Sequence, residues 1–438
     1  MRGRGLIVAA PASGSGKTLV TLGLVRHLAR RGLTVAAAKA GPDYIDPSFH
    51  AAAGGGPCLN LDPWAMRPET LADLVAQLEA AAEIVLCEGV MGLFDGTGPE
   101  GETGSTAELA RLTGWPVVLV VDARGQGASV AALLRGFAGH DPTVPLTGVV
   151  FNRIASARHG ALLAAATARH LPDLCYLGAV PADTRLAVPA RHLGLVPAGE
   201  IAAEPLIEQA AAAVGAAIDS ARLLRLAQPA RFADASPTAG LPPFGHRIAV
   251  ARDDAFCFVY PAVLDGWRRQ GAEVTFFSPL ADEPPDPAAD AVYMPGGYPE
   301  LWAGRLAAAR RCFAGLRRMA AQGLPIYGEC GGYMALGAAL CDATGRRQEM
   351  AGLLPLETSF AEPRRHLGYR TARLLANGPL GAAGTVFRGH EFHYASLLEE
   401  DGSAPLFVVA DSCGNDLGTC GSRRGSVCGS FIHLIDRR

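Results

Sequence analysis

Nine residues near the start of the chain, Ala10-Pro-Ala-Ser-Gly-Ser-Gly-Lys-Thr18, restrict its fold more than any other stretch. They follow a short apolar run at residues 6–10 and precede a helix-length segment at residues 17–30. A glycine-rich turn between a strand and a helix presents successive backbone N–H groups at the positive end of the helix, an anion cradle. Gly14, Ser15, Gly16 and Lys17 would line that cradle for ATP, with Lys17 reaching the β- and γ-phosphates and Thr18 ligating Mg²⁺. One position departs from the G-x-x-x-x-G-K-[ST] pattern, because Pro11 stands where the first glycine belongs. The plainer alternative, a turn with an incidental lysine, is disfavoured by Gly-Lys-Thr in this strand-to-helix context. A strand feeding such a loop commits the chain to βα units and a mostly parallel sheet.

The rest of the first half repeats that alternation. Apolar, strand-like runs at residues 33–38, 84–87, 117–121, 146–151 and 176–180 are separated by helix-length segments. Near residue 226 the pattern breaks into a Pro-rich, small-residue stretch that reads as a linker. A second strand series then starts at residues 247–251 and continues at 273–277, 291–294 and 324–327. The expected organisation is two α/β domains, residues 1–225 and 246–438, joined by a linker at 226–245. With 438 residues and a hydrophobic fraction of 49%, the chain can bury two cores.

Charge excludes some partners. Lys and Arg total 39 against 42 Asp and Glu, a formal net charge of -3, so nothing draws the chain to nucleic acid or an anionic membrane. No run reaches the 18 apolar residues of a membrane span, and the run at 6–10 is too short for a signal peptide, so a cytoplasmic location is expected. The ten cysteines are scattered, and Cys413, Cys420 and Cys428 lack any C-x-x-C pair; they read as reduced bystander thiols rather than metal ligands.

Two segments add chemistry to the phosphate loop. Lys39, Asp43 and Asp46 share one loop after the second strand, and Glu88 and Asp95 follow the third. In open parallel sheets these strand ends converge on the ligand, which makes Asp43 and Glu88 candidate Mg²⁺ ligands beside Thr18. Taken singly, each acid reads equally well as a solvated or capping side chain; their joint placement favours the site.

The second half carries Gly328-Glu-Cys-Gly-Gly332 after a strand, the cysteine form of a nucleophile elbow. Its glycines permit a strained turn that exposes Cys330, and the following helix N-terminus would depress the thiol pKa. The N–H groups of Gly296 or Gly297, with that of Gly331, are candidate oxyanion donors. His433 in the last apolar run is the preferred base; His390 and His393 are rivals.

Assembled in order, these segments resemble the cobyrinic acid and hydrogenobyrinic acid a,c-diamide synthase family over essentially the whole chain. The carriers include Gly41-Pro-Asp-Tyr-Ile-Asp-Pro47, Glu88-Gly-Val-Met-Gly-Leu-Phe-Asp-Gly96, Pro189-Ala-Arg-His-Leu-Gly-Leu-Val196, Pro295-Gly-Gly-Tyr-Pro-Glu-Leu301 and Gly389-His-Glu-Phe-His-Tyr394. The resemblance implies a P-loop NTPase-type, dethiobiotin synthetase-like module followed by a class I glutamine amidotransferase-like module. It implies that ATP and Mg²⁺ activate the acetate carboxylates of a corrinoid while glutamine supplies ammonia. Carried over, Cys330 is the nucleophile and His433 its base; Lys17, Thr18, Lys39, Asp43, Glu88 and Asp95 serve the ATP side. Tyr44, Ile45 and Asp46 lie toward the corrinoid, and Asn152 reads the adenine edge. A homodimer is compatible with the resemblance, although the sequence does not fix oligomeric state.

One position departs from ordinary class I glutaminases, which carry an acid two residues after the histidine. Here that place is Ile435, leaving a Cys–His dyad or another acid, with Glu391 and Asp436 as candidates. Hydrogenobyrinic acid, cobyrinic acid and nickel-sirohydrochlorin present similar acetate arms, and the resemblance leans to the first two, slightly to hydrogenobyrinic acid. The reading from a different class is a P-loop regulatory ATPase fused to an inactive glutaminase-like domain.

Overall fold

A computed structural model describes residues 2–186, 190–191, 194–195, 203–232 and 238–438. The chain divides into two compact units: Met1–Trp64 with Pro68–Thr238, and Ala65–Arg67 with Ala239–Arg438. Half of the motif at residues 189–196 lies outside the described residues, as does the middle of the expected linker.

The first unit is a seven-stranded parallel sheet. Its strands are β1 (Arg4–Ala9), β2 (Val35–Ala40), β3 (Cys58–Leu61), β4 (Ile84–Glu88), β5 (Val117–Asp122), β6 (Leu146–Ile154) and β7 (Cys175–Pro181). They pair in the order β3-β2-β4-β1-β5-β6-β7, so β1 sits centrally and feeds the phosphate loop into α1 (Lys17–Arg30). Continuous burial along β1, β4 and β5 fits strands covered on both faces. Leu22, Leu24, Val25 and Leu28 of α1 pack into the core with Leu6, Val8 and Leu86. The short helix α2 (Ile45–Gly54) contributes Ile45, Phe49 and Ala53 to the same core.

The first part of the expected linker is docked on this unit. Gln228 bridges to Gly5, the Arg231 N–H donates to the Thr113 carbonyl, and Ala230 donates to Glu79 at 2.6 Å. A Pro- and Ala-rich stretch has no periodic signal, so its backbone pairing is invisible in sequence.

The second unit holds a ten-stranded mixed sheet. Five strands are parallel, in the order Glu273–Phe277, Arg247–Ala251, Ala291–Met294, Ile326–Glu329 and Val427–Ser430. The sheet continues antiparallel through Asp416–Arg424, Pro405–Ala410, His366–Leu374, Val386–His393 and Ile432–Arg437. Ile326–Glu329 lies inside the parallel half, and the turn after it carries Cys330. The last strand, Ile432–Arg437, pairs with Val386–His393 so that His433 stands opposite His390.

Candidate active sites

The phosphate loop takes its shape from glycine. Gly14 and Gly16 have φ of 80° and 97°, and a side chain at Gly16 would collide with the Asn152 amide. Asn152 Nδ2 donates to the Ser15 carbonyl at 2.9 Å, while its oxygen accepts from Arg153 N at 3.0 Å. Asn152 therefore fastens the loop from near the end of β6 while lining the cleft beside it. Ser15 turns inward, its hydroxyl donating to the Ala12 carbonyl at 2.8 Å.

A cleft of about 830 Å³ opens beside the loop, lined by Gly14, Gly16, Lys17, Thr18, Lys39, Asp43, Asp46, Glu88 and Asn152 among others. Lys17 crosses to the Met91 carbonyl at 2.5 Å. The Thr18 hydroxyl donates to Glu88 Oε1 at 2.7 Å, and His50 Nε2 lies 2.6 Å from Glu88 Oε2. Lys39 Nζ sits 2.6 Å from Asp46, 3.2 Å from Glu88 and 4.0 Å from Asp43.

This cluster sets the protonation states. Burial works against the Glu88 charge, but Lys39, with His50 and Thr18, outweighs it and holds the carboxyl down to about 2. Asp43 is pushed up to about 7 by burial and by the charge of Asp46. Burial would lower Lys39, yet Glu88, Asp46 and Asp43 raise it above its ordinary value. Burial lowers Lys17 despite the opposing charge of Glu88.

Magnesium keeps several waters and takes one or two protein carboxylates beside substrate phosphates. The hard-oxygen pair of Thr18 and an ionised Glu88, next to the loop and with Asp43 in the same cleft, fits that demand. Asp46 belongs with this charged cluster through its 2.6 Å contact with Lys39, rather than with a separate substrate surface. Three other residues expected on the substrate or synthetase side do not line the cleft. Ile45 is 8% exposed and packs in the core as the first residue of α2, a correction to its expected place beside a corrinoid. Asp95 Oδ2 accepts from Gly92 N at 2.8 Å and shapes the loop after β4. Tyr44 is half-buried beside Asp43, outside the residues that line the cleft.

The cysteine site forms where Ile326–Glu329 turns into the six-residue helix Gly331–Leu336. Cys330 has φ of 46° and ψ of -106°, backbone that a non-glycine residue adopts only under constraint. Cys330 N donates to the Ser430 carbonyl at 2.8 Å, pinning the turn to the neighbouring strand. A Cβ placed on Gly296 would collide with His433 Cε1, and would lie 3.2 Å from His433 Nε2 and 3.3 Å from Cys330 Cβ. The Cys330 side chain and the Cε1–Nε2 edge of the imidazole thus flank one position where only glycine fits, and the thiol lies 3.8 Å from the Phe392 carbonyl. Gly331 packs on the same loop, its absent Cβ 3.0 Å from Gly297 N.

The depressed thiol pKa expected from the helix N-terminus is not what the structure gives. Burial pushes the Cys330 thiol above its ordinary range, with Glu300 adding to it; the Gly331 N–H opposes them. Burial lowers His433 to about 3, aided by His390 and His393, so the imidazole is neutral and able to accept a proton. Thiol activation here calls for proton transfer to His433 rather than a standing thiolate.

Of the two expected acids, Glu391 acts on His433 through its charge, while the close partners of both lie elsewhere. Glu391 pairs with Arg370 at 2.7 Å and with His393 at 3.0 Å, and Asp436 is held by Arg67 at 3.0 Å. The acid beside His433 is Glu329, whose Oε2 lies 3.7 Å from Nδ1. Sequence reasoning passed over it because a glutamate at a strand end carries no pattern of its own. His366, Glu391 and His393 bring ligand-type atoms within 4.8 Å of one another. The two rings, however, stack at 4.6 Å with only 6° between planes, so their lone pairs run parallel instead of converging on a cation. Cys413, Cys420 and Cys428 are free thiols.

A nucleotide-type loop on a parallel sheet and a cysteine–histidine elbow on a second α/β unit define the class: a P-loop NTPase-type module joined to a class I glutamine amidotransferase-type module. Residues 6–196 match the CobQ/CobB/MinD/ParA nucleotide binding domain, and residues 247–438 the CobB/CobQ-like glutamine amidotransferase domain. Hydrogenobyrinate a,c-diamide synthase of Brucella anthropi is 52% identical over 99% of this chain and 98% of its own length. The protein of the same name from Rhodobacter capsulatus is 53% identical over 99% of this chain and 98% of its length. That from Rhizobium meliloti is 52% identical over 99% of both. The chain belongs to the cobyrinic acid and hydrogenobyrinic acid a,c-diamide synthase family, carbon–nitrogen ligases that use glutamine as amido-nitrogen donor. Its place is amidation in cobalamin biosynthesis.

Proposed function

We propose that the chain converts the a and c acetate carboxylates of hydrogenobyrinic acid to amides, using ATP and glutamine. The observation that carries this reading is identity above half, over the full length, to proteins named for that substrate.

A carboxylate is a poor acyl donor because its leaving group would be oxide. In the first step a substrate carboxylate oxygen attacks the γ-phosphorus of ATP, and ADP leaves. The loop N–H groups of Gly14 to Lys17 and the Lys17 ammonium hold the phosphates in line. Thr18, Glu88 and Asp43 are the residues that would hold Mg²⁺, which when bound neutralises charge on the transferred group. Lys39 keeps Glu88 ionised and holds Asp46 in place through its 2.6 Å contact.

At the second site His433 accepts the Cys330 proton as sulfur attacks the glutamine carboxamide carbon, with Gly297 and Gly331 N–H groups directed at the oxyanion. The imidazolium returns that proton to the leaving ammonia, forming a thioester, and water then releases glutamate. Ammonia attacks the acyl phosphate, phosphate departs, and an amide remains. Among the described residues no helix is long and apolar enough to cross a membrane; the proposed setting is the cytoplasm, where ATP and glutamine are plentiful.

Product mass spectrometry with ATP, Mg²⁺ and glutamine tests this reading. Hydrogenobyrinic acid should lose about one mass unit at each of two successive steps, and should outcompete its cobalt-bearing counterpart in kcat/KM. Preference for the cobalt-bearing acid, or a single amidation at completion, would contradict it.

A further inference from the structure

The second site contains a buried acid that the reaction as written leaves unused. Glu329 is 3% exposed and immediately precedes the nucleophile, at the end of Ile326–Glu329. Two other strands hold it. Tyr293 Oη donates to Oε2 at 2.7 Å from the adjacent strand. Leu434 N, the amide following His433, donates to Oε1 at 3.0 Å from the last strand. Oε2 in turn lies 3.7 Å from His433 Nδ1. The other ring nitrogen, Nε2, lies on the ring edge that flanks Gly296 together with Cys330 Cβ. Cysteine, imidazole and carboxylate are therefore arranged in sequence, with the acid behind the base.

We propose that Glu329 is the positioning acid of the glutaminase site: its carboxylate accepts the His433 Nδ1 proton, fixing the tautomer that offers Nε2 to the Cys330 thiol. The inference rests on the glutaminase reading above. It assigns to the residue before the nucleophile the task that an acid two positions after the histidine would otherwise perform, a place filled here by Ile435. The 3.7 Å separation is too long for a hydrogen bond in the resting site. Closing it requires a shift of under 1 Å, the kind of tightening that accompanies substrate binding. The proton gained by His433 would then sit between an acid and a leaving amine.

The surroundings give the arrangement a pH signature. Behind Glu329 lies a cavity of about 20 Å³ lined mainly by apolar groups, including Trp267, Phe387 and Leu434. Burial raises the Glu329 carboxyl to about 7, against the hydrogen bonds from Tyr293 and Leu434 that lower it. The other titratable groups around it stay in one form near neutrality. Tyr293 and Tyr327 are raised by burial and by Glu329 itself, His390 is lowered to about 4 and His433 to about 3. Glu300 and Glu391 act on the Cys330 thiol, which is raised. Only carboxylate accepts a proton, so glutaminase kcat/KM should climb as pH rises through about 7.

The test is glutamine hydrolysis by the full chain as a function of pH. Glu329→Gln should lower kcat/KM by about 10²-fold or more, chiefly in kcat, and should abolish the rise near neutrality. Tyr293→Phe keeps the acid but removes a hydrogen bond that favours its charge, so the rise should move to higher pH. A purely structural Glu329 would change melting temperature and leave the pH profile of the folded fraction intact. Glu329→Gln with unaltered kcat/KM and profile would overturn the proposal, as would an unmoved limb in Tyr293→Phe if Glu329→Gln fails to fold. Cys330→Ala, run in parallel, separates the two ideas. If it retains glutaminase activity, the glutaminase reading itself fails; if it is inactive while Glu329→Gln is normal, only the positioning role does.

Discussion

Lys39 shows how much a single side chain can organise when it is buried among acids. Its ammonium, 4% exposed as a residue, is shared by Asp46, Glu88 and Asp43. Replacing it with methionine would keep the stem's volume but leave buried carboxylates facing each other, a change that costs about 3–5 kcal/mol when one partner of a buried pair is removed. Lys39→Met should therefore lower the urea midpoint of the first unit's transition, and an unchanged midpoint would show that the acids protonate at little cost. At this scale the sequence was legible where chemistry demands a pattern. Gly-Lys-Thr and Gly-x-Cys-x-Gly announce themselves because backbone geometry limits what can stand there. Glu329 was illegible, since its meaning comes from His433, 104 positions away (433 minus 329) and brought near only by the closing strand. Ile45 misled because the residues flanking it, Asp43 and Asp46, do reach the cleft, while helix geometry turns Ile45 to the core.

Among elements, the ends of the parallel strands do the collecting. β1 supplies the phosphate loop, β2 carries Lys39 near its end, β4 ends on Glu88 and β6, one strand beyond β5, carries Asn152; the shared direction of these strands brings the residues to one cleft. Because β4 is buried at every position, Glu88 cannot drift, and its ionised oxygens stay against Thr18 and His50. Glu88→Gln should abolish ATP-dependent amidation while leaving glutamine hydrolysis measurable. A normal synthetase rate in that variant would remove Glu88 from the phosphate-side chemistry. Most of the parallel strands could be read from their apolar runs, to within about three residues at each end, although Val427–Ser430 could not. The antiparallel half of the second sheet could not. His366–Leu374 has only two buried positions, and Asp416–Arg424 is mostly exposed, so neither carries the apolar alternation that reveals a strand. β3 escaped notice for a simpler reason: four residues are too few to establish a period.

For the whole molecule, two separately cored units each hold one of the two proposed sites. Their sequence signatures differ in kind, phosphate loop against thiol elbow, which is why two modules were legible before any coordinates. The division of labour is the central claim, and it predicts that the two activities come apart. The decisive measurement is amide formation by Cys330→Ala, with ATP and Mg²⁺, comparing glutamine with ammonium chloride as nitrogen source. The account predicts no amide and no glutamate release from glutamine, but near wild-type amide formation from ammonium. Amide formed from glutamine, or ammonium-dependent synthesis lost in a variant that remains folded, would contradict it.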